Sequence, residues 1–239
     1  MSQRKLPSAV VEGLEYLREI GFSELCLDSN SGQKAERLTD GQAPAGELSS
    51  DQRRLRLQEV GEQASTCERC NLSRGRNRAV FGSGRADADL MLIGEGPGAE
   101  EDRQGLPFVG PAGELLTLIL KAIGLERDDV YIANIVKCRP PGNRDPLPEE
   151  ASACRSFLDL QIELVRPKVI VALGRVAAQD LVDSDLALGR LRNQWHRVRG
   201  IPTRVTYHPA ALLRNSSWKR PTWEDMQVVR DRLLETSAD

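Results

Sequence analysis

The chain is predicted to be an α/β protein, a three-layer α/β/α sandwich around a central four-stranded parallel sheet. Three observations predict this. Four short apolar runs, DLMLIG (89–94), VYIANIV (130–136), KVIVAL (168–173) and TRVTY (203–207), have the length and composition of buried strands. Stretches with helical spacing separate them. Strands that alternate with helices pair in parallel, and helices then cover both faces of the sheet.

The elements follow in order. Residues 8–20 place Val10, Val11, Leu14, Leu17 and Ile20 at helical spacing, and Gly21 offers a stop. Residues 28–50 are rich in Gly, Ser, Pro and charge and read as a flexible linker. The organisation expected is therefore a helical extension over 1–27, a linker over 28–50 and one regular domain over 51–239. Within that domain, residues 51–66 read as a helix ahead of the first strand. Pro111 starts a helix that Gly124 closes. Pro148, with Glu149 and Glu150 in the first turn, starts another through 164. Further helices are expected around 174–182 and near 222–235. No internal repeat is found.

Composition narrows the function. The 239 residues are 40% hydrophobic and 28% charged, enough for one sizeable core. Mean hydropathy is −0.41. No run of about 18 apolar residues occurs, so no membrane span is expected. The N-terminus carries no apolar stretch ending in a small-residue cleavage site, and a cytoplasmic protein is expected. The net charge of −2 gives no global nucleic-acid signature. Locally, Arg69, Arg74, Arg76 and Arg78 crowd one stretch that reads as solvated surface or as a phosphate-contacting patch.

In parallel sheets, ligands bind outside the carboxyl ends of the strands. The unusual sequences fall there. GEGPG (94–98) follows the first strand, Asn134 ends the second and His208 follows the fourth. One edge of the sheet should gather them. Gly94, Gly96, Gly98, Gly110 and Gly113 let backbone turn tightly or approach a ligand.

The five cysteines are an odd number, which argues against a disulfide framework. Cys67 and Cys70 form a C-x-x-C pair, and Cys138 and Cys154 lie far downstream. Four thiolates complete either a zinc site or an iron–sulfur cluster, and spacing alone does not separate the two. Cys26 falls outside the domain and is read as incidental.

Three segments together resemble the family 4 uracil-DNA glycosylases. GEGPGAEEDRQGLPFVGPAGELL (94–116) is similar to their motif A. ANIVKCRPPGNRDPLP (133–148) is similar to their second signature, and TYHPAALLRN (206–215) to their motif B. Cys67, Cys70, Cys138 and Cys154 match the family's cluster ligands in order, so the resemblance implies a [4Fe–4S] cluster. It covers about residues 51–235. It further implies a monomer that excises uracil from single- or double-stranded DNA to begin base-excision repair.

The resemblance also implies roles. Phe108 supplies a stacking face for a base taken out of the helix. The Asn134 amide donates to uracil O4 and accepts from N3–H; cytosine presents a donor and an acceptor in the opposite places. His208 donates to uracil O2 as negative charge develops there. Glu95 orients water or stabilises the positive sugar. Gly96 stands where family 1 enzymes carry a water-activating aspartate, which family 4 lacks. Glu101 lines the pocket near uracil C5. HPAALLRN is expected to be a loop entering DNA, with Leu212 first and Leu213 second as the wedge, and Arg214 on a phosphate. His196 reads as structural.

Three other readings compete. Related proteins capture uracil-DNA without turnover through an inserted loop carrying KRRIH; here NRDPLPEE follows RPPG directly. An iron–sulfur nucleotide-binding protein would explain GEGPG as a phosphate loop, but the G-x-G-x-x-G spacing is missing. An electron-transfer protein would leave Phe108, Asn134 and His208 unexplained. Residues 1–50 resemble none of the family's motifs, and a protein partner docking through residues 1–27 is one expectation.

Overall fold

The computed structural model describes residues 48–236. The helix read over 8–20, Cys26 and the linker up to residue 47 lie outside the described residues. The unit described is Ser50–Asp239, less its last three residues.

Six strands form one sheet: β1 (Ser83–Gly84), β2 (Leu90–Gly94), β3 (Tyr131–Asn134), β4 (Val169–Leu173), β5 (Trp195–Val198) and β6 (Ile201–Thr206). Their order is β1-β3-β2-β4-β6-β5. The inner four, β3-β2-β4-β6, are parallel. The two edges are antiparallel. The sheet is thus mixed and six-stranded, which corrects the expected four-stranded parallel sheet.

The edges escape sequence reading for physical reasons. β1 is two residues long. β5 carries a single buried residue, Val198, so it has no apolar run. It turns into β6 through Arg199 and Gly200, at φ +51° and +82°. Two left-handed residues in a two-residue loop are what a tight hairpin requires.

The helices are α1 (Ser50–Ser65), α2 (Ala99–Gln104), α3 (Pro111–Ala122), α4 (Pro148–Val165), α5 (Arg175–Val182), α6 (Leu188–Leu191), α7 (Pro209–Arg214) and α8 (Lys219–Thr236). Alternation along the strands sends side chains to two cores. From β2, Met91 and Ile93 join a cluster with Leu57 and Val60 of α1, Leu158 of α4 and Ala178 of α5. Leu90 and Leu92 join the other, with Leu116 and Leu120 of α3 and Met226 of α8. Helix ends are closed by side chains. Glu150 accepts from the Leu147 amide at the start of α4, and Arg144 grips its carboxylate with two 2.8 Å bonds. At the other end, Arg53 donates to the last carbonyls of α4.

α7 is another correction. The segment HPAALLRN, expected to be a loop, is helical over Pro209–Arg214. His208 caps it by accepting from the Ala210 amide, and Pro209 occupies the first helical position. Among the described residues, no helix is long and apolar enough to cross a membrane.

Candidate active site

The carboxyl ends of β2, β3 and β6 open into a cleft of about 630 Å³. Eight of the residues singled out from sequence line it: Glu95, Gly96, Gly98, Glu101, Phe108, Asn134, His208 and Arg214. Register explains part of this gathering. Gly94 and Asn134 are cross-strand partners at the ends of β2 and β3.

Asn134 is almost fully buried, and its Oδ1 has no hydrogen-bond partner among the described residues. A buried carbonyl left unpaired costs about 1–3 kcal/mol, so this atom suits a ligand that brings an N–H. Gly94 makes room for it. A Cβ there would stand 2.5 Å from Asn134 Oδ1 and 2.7 Å from Phe108 Cζ.

Phe108 holds an uncommon backbone conformation for an aromatic residue, with φ +52°. The surroundings over-determine it. Glu101 Oε1 accepts from the amides of Val109 (2.9 Å) and Gly110 (3.0 Å). Arg127 donates to the Pro107 carbonyl. Gly113 lies so close that a Cβ would meet Phe108 O at 1.8 Å. Glu101 therefore sets the loop that carries Phe108, besides lining the cleft. The Phe108 ring sits 5.4 Å from the His208 ring, centroid to centroid, tilted by 31°.

His208 Nδ1 accepts from the Ala210 amide at 3.2 Å. A backbone N–H can only donate, so the neutral ring carries its proton on Nε2. Burial pushes the His208 pKa down to about 4; the charge of Arg214 adds to this, and Glu101 opposes it. The ring is neutral near pH 7 and offers one donor, Nε2–H. Glu95 moves the other way. Burial and then the charge of Asp145 raise it to about 7, with Arg175 opposing.

The two wedge leucines separate. Leu212 is buried at 1% exposure, whereas Leu213 is 53% exposed. The helix explains it, since consecutive residues point about 100° apart. Leu212, read first as the wedge, thus faces the interior, and Leu213 is the one of the two that faces solvent. Several cleft residues escaped sequence reading, among them Asp145, Arg175, Tyr207 and Trp218. Arg175 lies two residues past the β4 carboxyl end, a position that topology could have flagged. Trp218 carries no such signal. His196, read as structural, bonds through Nε2 to the Leu191 carbonyl.

A second recess gathers Cys67, Cys70, Cys138 and Cys154, with Arg69, Lys137 and Phe157. All four cysteines are free. N–H groups point at three of the sulfurs: Arg69 Nε at Cys67 (3.3 Å), Arg76 Nη1 at Cys138 (3.1 Å) and the Lys137 amide at Cys154 (3.3 Å). Burial tends to raise the Cys67 pKa, but bonds from the Arg69 backbone and side chain, with the charges of Arg69 and Arg76, lower it overall. Arg69 is exposed, in keeping with the solvated reading, yet both it and Arg76 also donate to sulfurs of this recess.

With fold and cleft in view, the chain falls in the class of α/β proteins defined by the Uracil DNA glycosylase superfamily, whose family model matches residues 81–227. A type-4 uracil-DNA glycosylase of Thermotoga maritima is 45% identical over 72% of this chain and 91% of its own length. Another, from Sulfurisphaera tokodaii, is 41% identical over 73% and 84%. A type-5 enzyme of Pyrobaculum aerophilum is 35% identical over 62% and 72%. The chain belongs to the type-4 uracil-DNA glycosylases.

Proposed function

We propose that the protein hydrolyses the N-glycosidic bond of deoxyuridine in DNA. The bond between sugar and uracil N1 breaks, water adds its hydroxyl to the sugar and its proton balances the departing uracil anion, and an abasic site remains in an uncut strand. The observation that carries this is the buried Asn134 Oδ1, unpartnered among the described residues, in a cleft that Phe108 and a neutral histidine donor also line. Uracil N3–H supplies the missing donor, and its O4 accepts from the same amide. Phe108 offers its ring as a stacking face. Nε2–H of His208 is directed to O2, where charge develops as the bond breaks. Ionised Glu95 orients the attacking water and offsets positive charge on the sugar.

Leu213, exposed on α7, is the residue proposed to fill the gap left by the flipped nucleotide. Arg214 is proposed to hold a flanking phosphate. The four cysteines are proposed to hold a [4Fe–4S] cluster. Four thiols around one recess, with N–H groups aimed at three of the sulfurs, suit thiolate ligands. The cluster would supply cross-linking between residues 67–70 and 138–154, and the hydrolysis needs no electron from it.

The test is strand scission by alkali after incubating a uracil-containing duplex with the protein. Scission by the native chain, and losses of a hundredfold or more with Asn134→Ala and with His208→Ala, are expected, on the order of one or two lost polar contacts in the transition state. An intact strand after alkali would refute turnover and leave uracil capture.

A further inference from the structure

The cleft has a wall that the proposed chemistry does not use. Tyr207 and Trp218 both line it, with rings 4.8 Å apart and parallel within 4°. The Arg192 guanidinium lies 4.5 Å from the Tyr207 ring. The three groups thus form one stack, Arg192–Tyr207–Trp218. Its outermost member, Trp218, is 36% exposed, high for a residue that already spends one face on a neighbour.

The stack is braced from behind. Arg192 is buried and donates to Asp225 (2.8 Å) and to the Pro221 carbonyl (2.9 Å). Asp225, also buried, accepts from Arg204 (3.0 Å) and Thr206 (2.8 Å). The Trp218 backbone is held as well: its amide donates to the Asn215 carbonyl, and its carbonyl accepts from Thr222. Buried ion networks stabilise a fold less well than apolar packing of the same volume. This one fixes the orientation of an aromatic surface beside the catalytic histidine.

We propose that Trp218, backed by Tyr207 and Arg192, is a stacking platform for the DNA base next to the flipped uridine. The inference rests on the cleft being the uracil-DNA site. A flat, braced aromatic face recognises any nucleobase, because each has a π-face. Trp218 follows Leu213 by five residues and Arg214 by four. Wedge, phosphate contact and platform would therefore come from one short segment. Stacking of this kind is sequence-tolerant, so it contributes affinity without choosing the neighbour.

Two single-stranded probes test it. Each carries an uncleavable fluorinated deoxyuridine and a dye, and lacks the base on one side of the uridine or on the other. Binding is read by fluorescence anisotropy, beside a probe with both bases. In the native chain, removing one of the two neighbouring bases should weaken binding on the order of tenfold. In Trp218→Ala, binding should already be weaker on the order of tenfold, and the same base removal should cost nothing more. Trp218→Phe keeps a face and should stay within about threefold of native. Equal cost of base removal in native and Trp218→Ala chains would overturn the platform, as would no cost in the native chain. The scission assay judges the parent reading separately: binding that follows Trp218 without uracil release would keep the platform and sink the glycosylase.

Discussion

The Lys137 ammonium donates to the backbone carbonyl of Asn134 at 2.8 Å, from a side chain that is 1% exposed. It also donates to Gln161 Oε1, while the Lys137 amide donates to Cys154 Sγ. One residue thus ties the cysteine recess to the asparagine of the cleft. Lys137→Met keeps the unbranched stem, one atom shorter, and removes the donor. Two buried acceptors then lose their partner, at about 1–3 kcal/mol each. A lower melting temperature and a raised KM for uracil-DNA are expected. Unchanged values of both would show that Asn134 is held by other means.

Glu101 acts on the cleft through the backbone. Glu101→Ala leaves the amides of Val109 and Gly110 without their acceptor and frees the loop that holds Phe108 at positive φ. A fall in kcat/KM of tenfold or more is expected, from about 1–3 kcal/mol of lost positioning. Glu101→Gln still accepts through its carbonyl and should recover much of the loss. If Glu101→Ala and Glu101→Gln are equally impaired, charge rather than loop anchoring is what Glu101 provides.

The two titrating groups predict a pH profile. Glu95 must be ionised to act, and burial followed by Asp145 raises it to about 7. kcat/KM should therefore rise with pH up to about 7 and level off above it. His208, held down to about 4, stays neutral throughout that rise and adds no limb of its own. Glu95→Gln should flatten the limb and lower the plateau. The sign for stability is opposite. A raised carboxyl pKa favours the fold below the usual value of 4.5, and that contribution is lost as pH rises through about 7. Glu95→Gln should gain stability over the native chain above pH 7. A limb that persists in Glu95→Gln would assign it to another group.

The cysteine recess predicts colour. Purified without oxygen, the native chain should contain iron and acid-labile sulfide in equal amounts and absorb visible light. Cys138→Ser should lose most of both and melt at lower temperature. Zinc bound in place of iron, with no sulfide, would reassign the site.

Much of this was readable in the sequence, and the misses have physical causes. The inner strands and the long helices carry strong apolar periodicity, and Pro111 and Pro148 mark helix starts. The edge strands do not, because an edge buries too little to leave a pattern. Glu95, Asn134 and His208 could be placed together because parallel topology sends strand ends to one side. Leu212 and Leu213 could not be told apart, since only the helical phase of α7 decides which faces the core. The arginines at 69 and 76 looked like surface charge; their partners, Cys67 and Cys138, become neighbours only in the folded chain. Trp218 gave no signal at all, because its role depends on Tyr207 and on a buried ion network behind it.

The most direct measurement is chromatographic detection of free uracil under single-turnover conditions, with native, Asn134→Ala and His208→Ala chains on one duplex. The account predicts one uracil released per site by the native chain, strands uncut until alkali is added, and release slowed a hundredfold or more in each variant. No free uracil from the native chain, or release that ignores both substitutions, would contradict it.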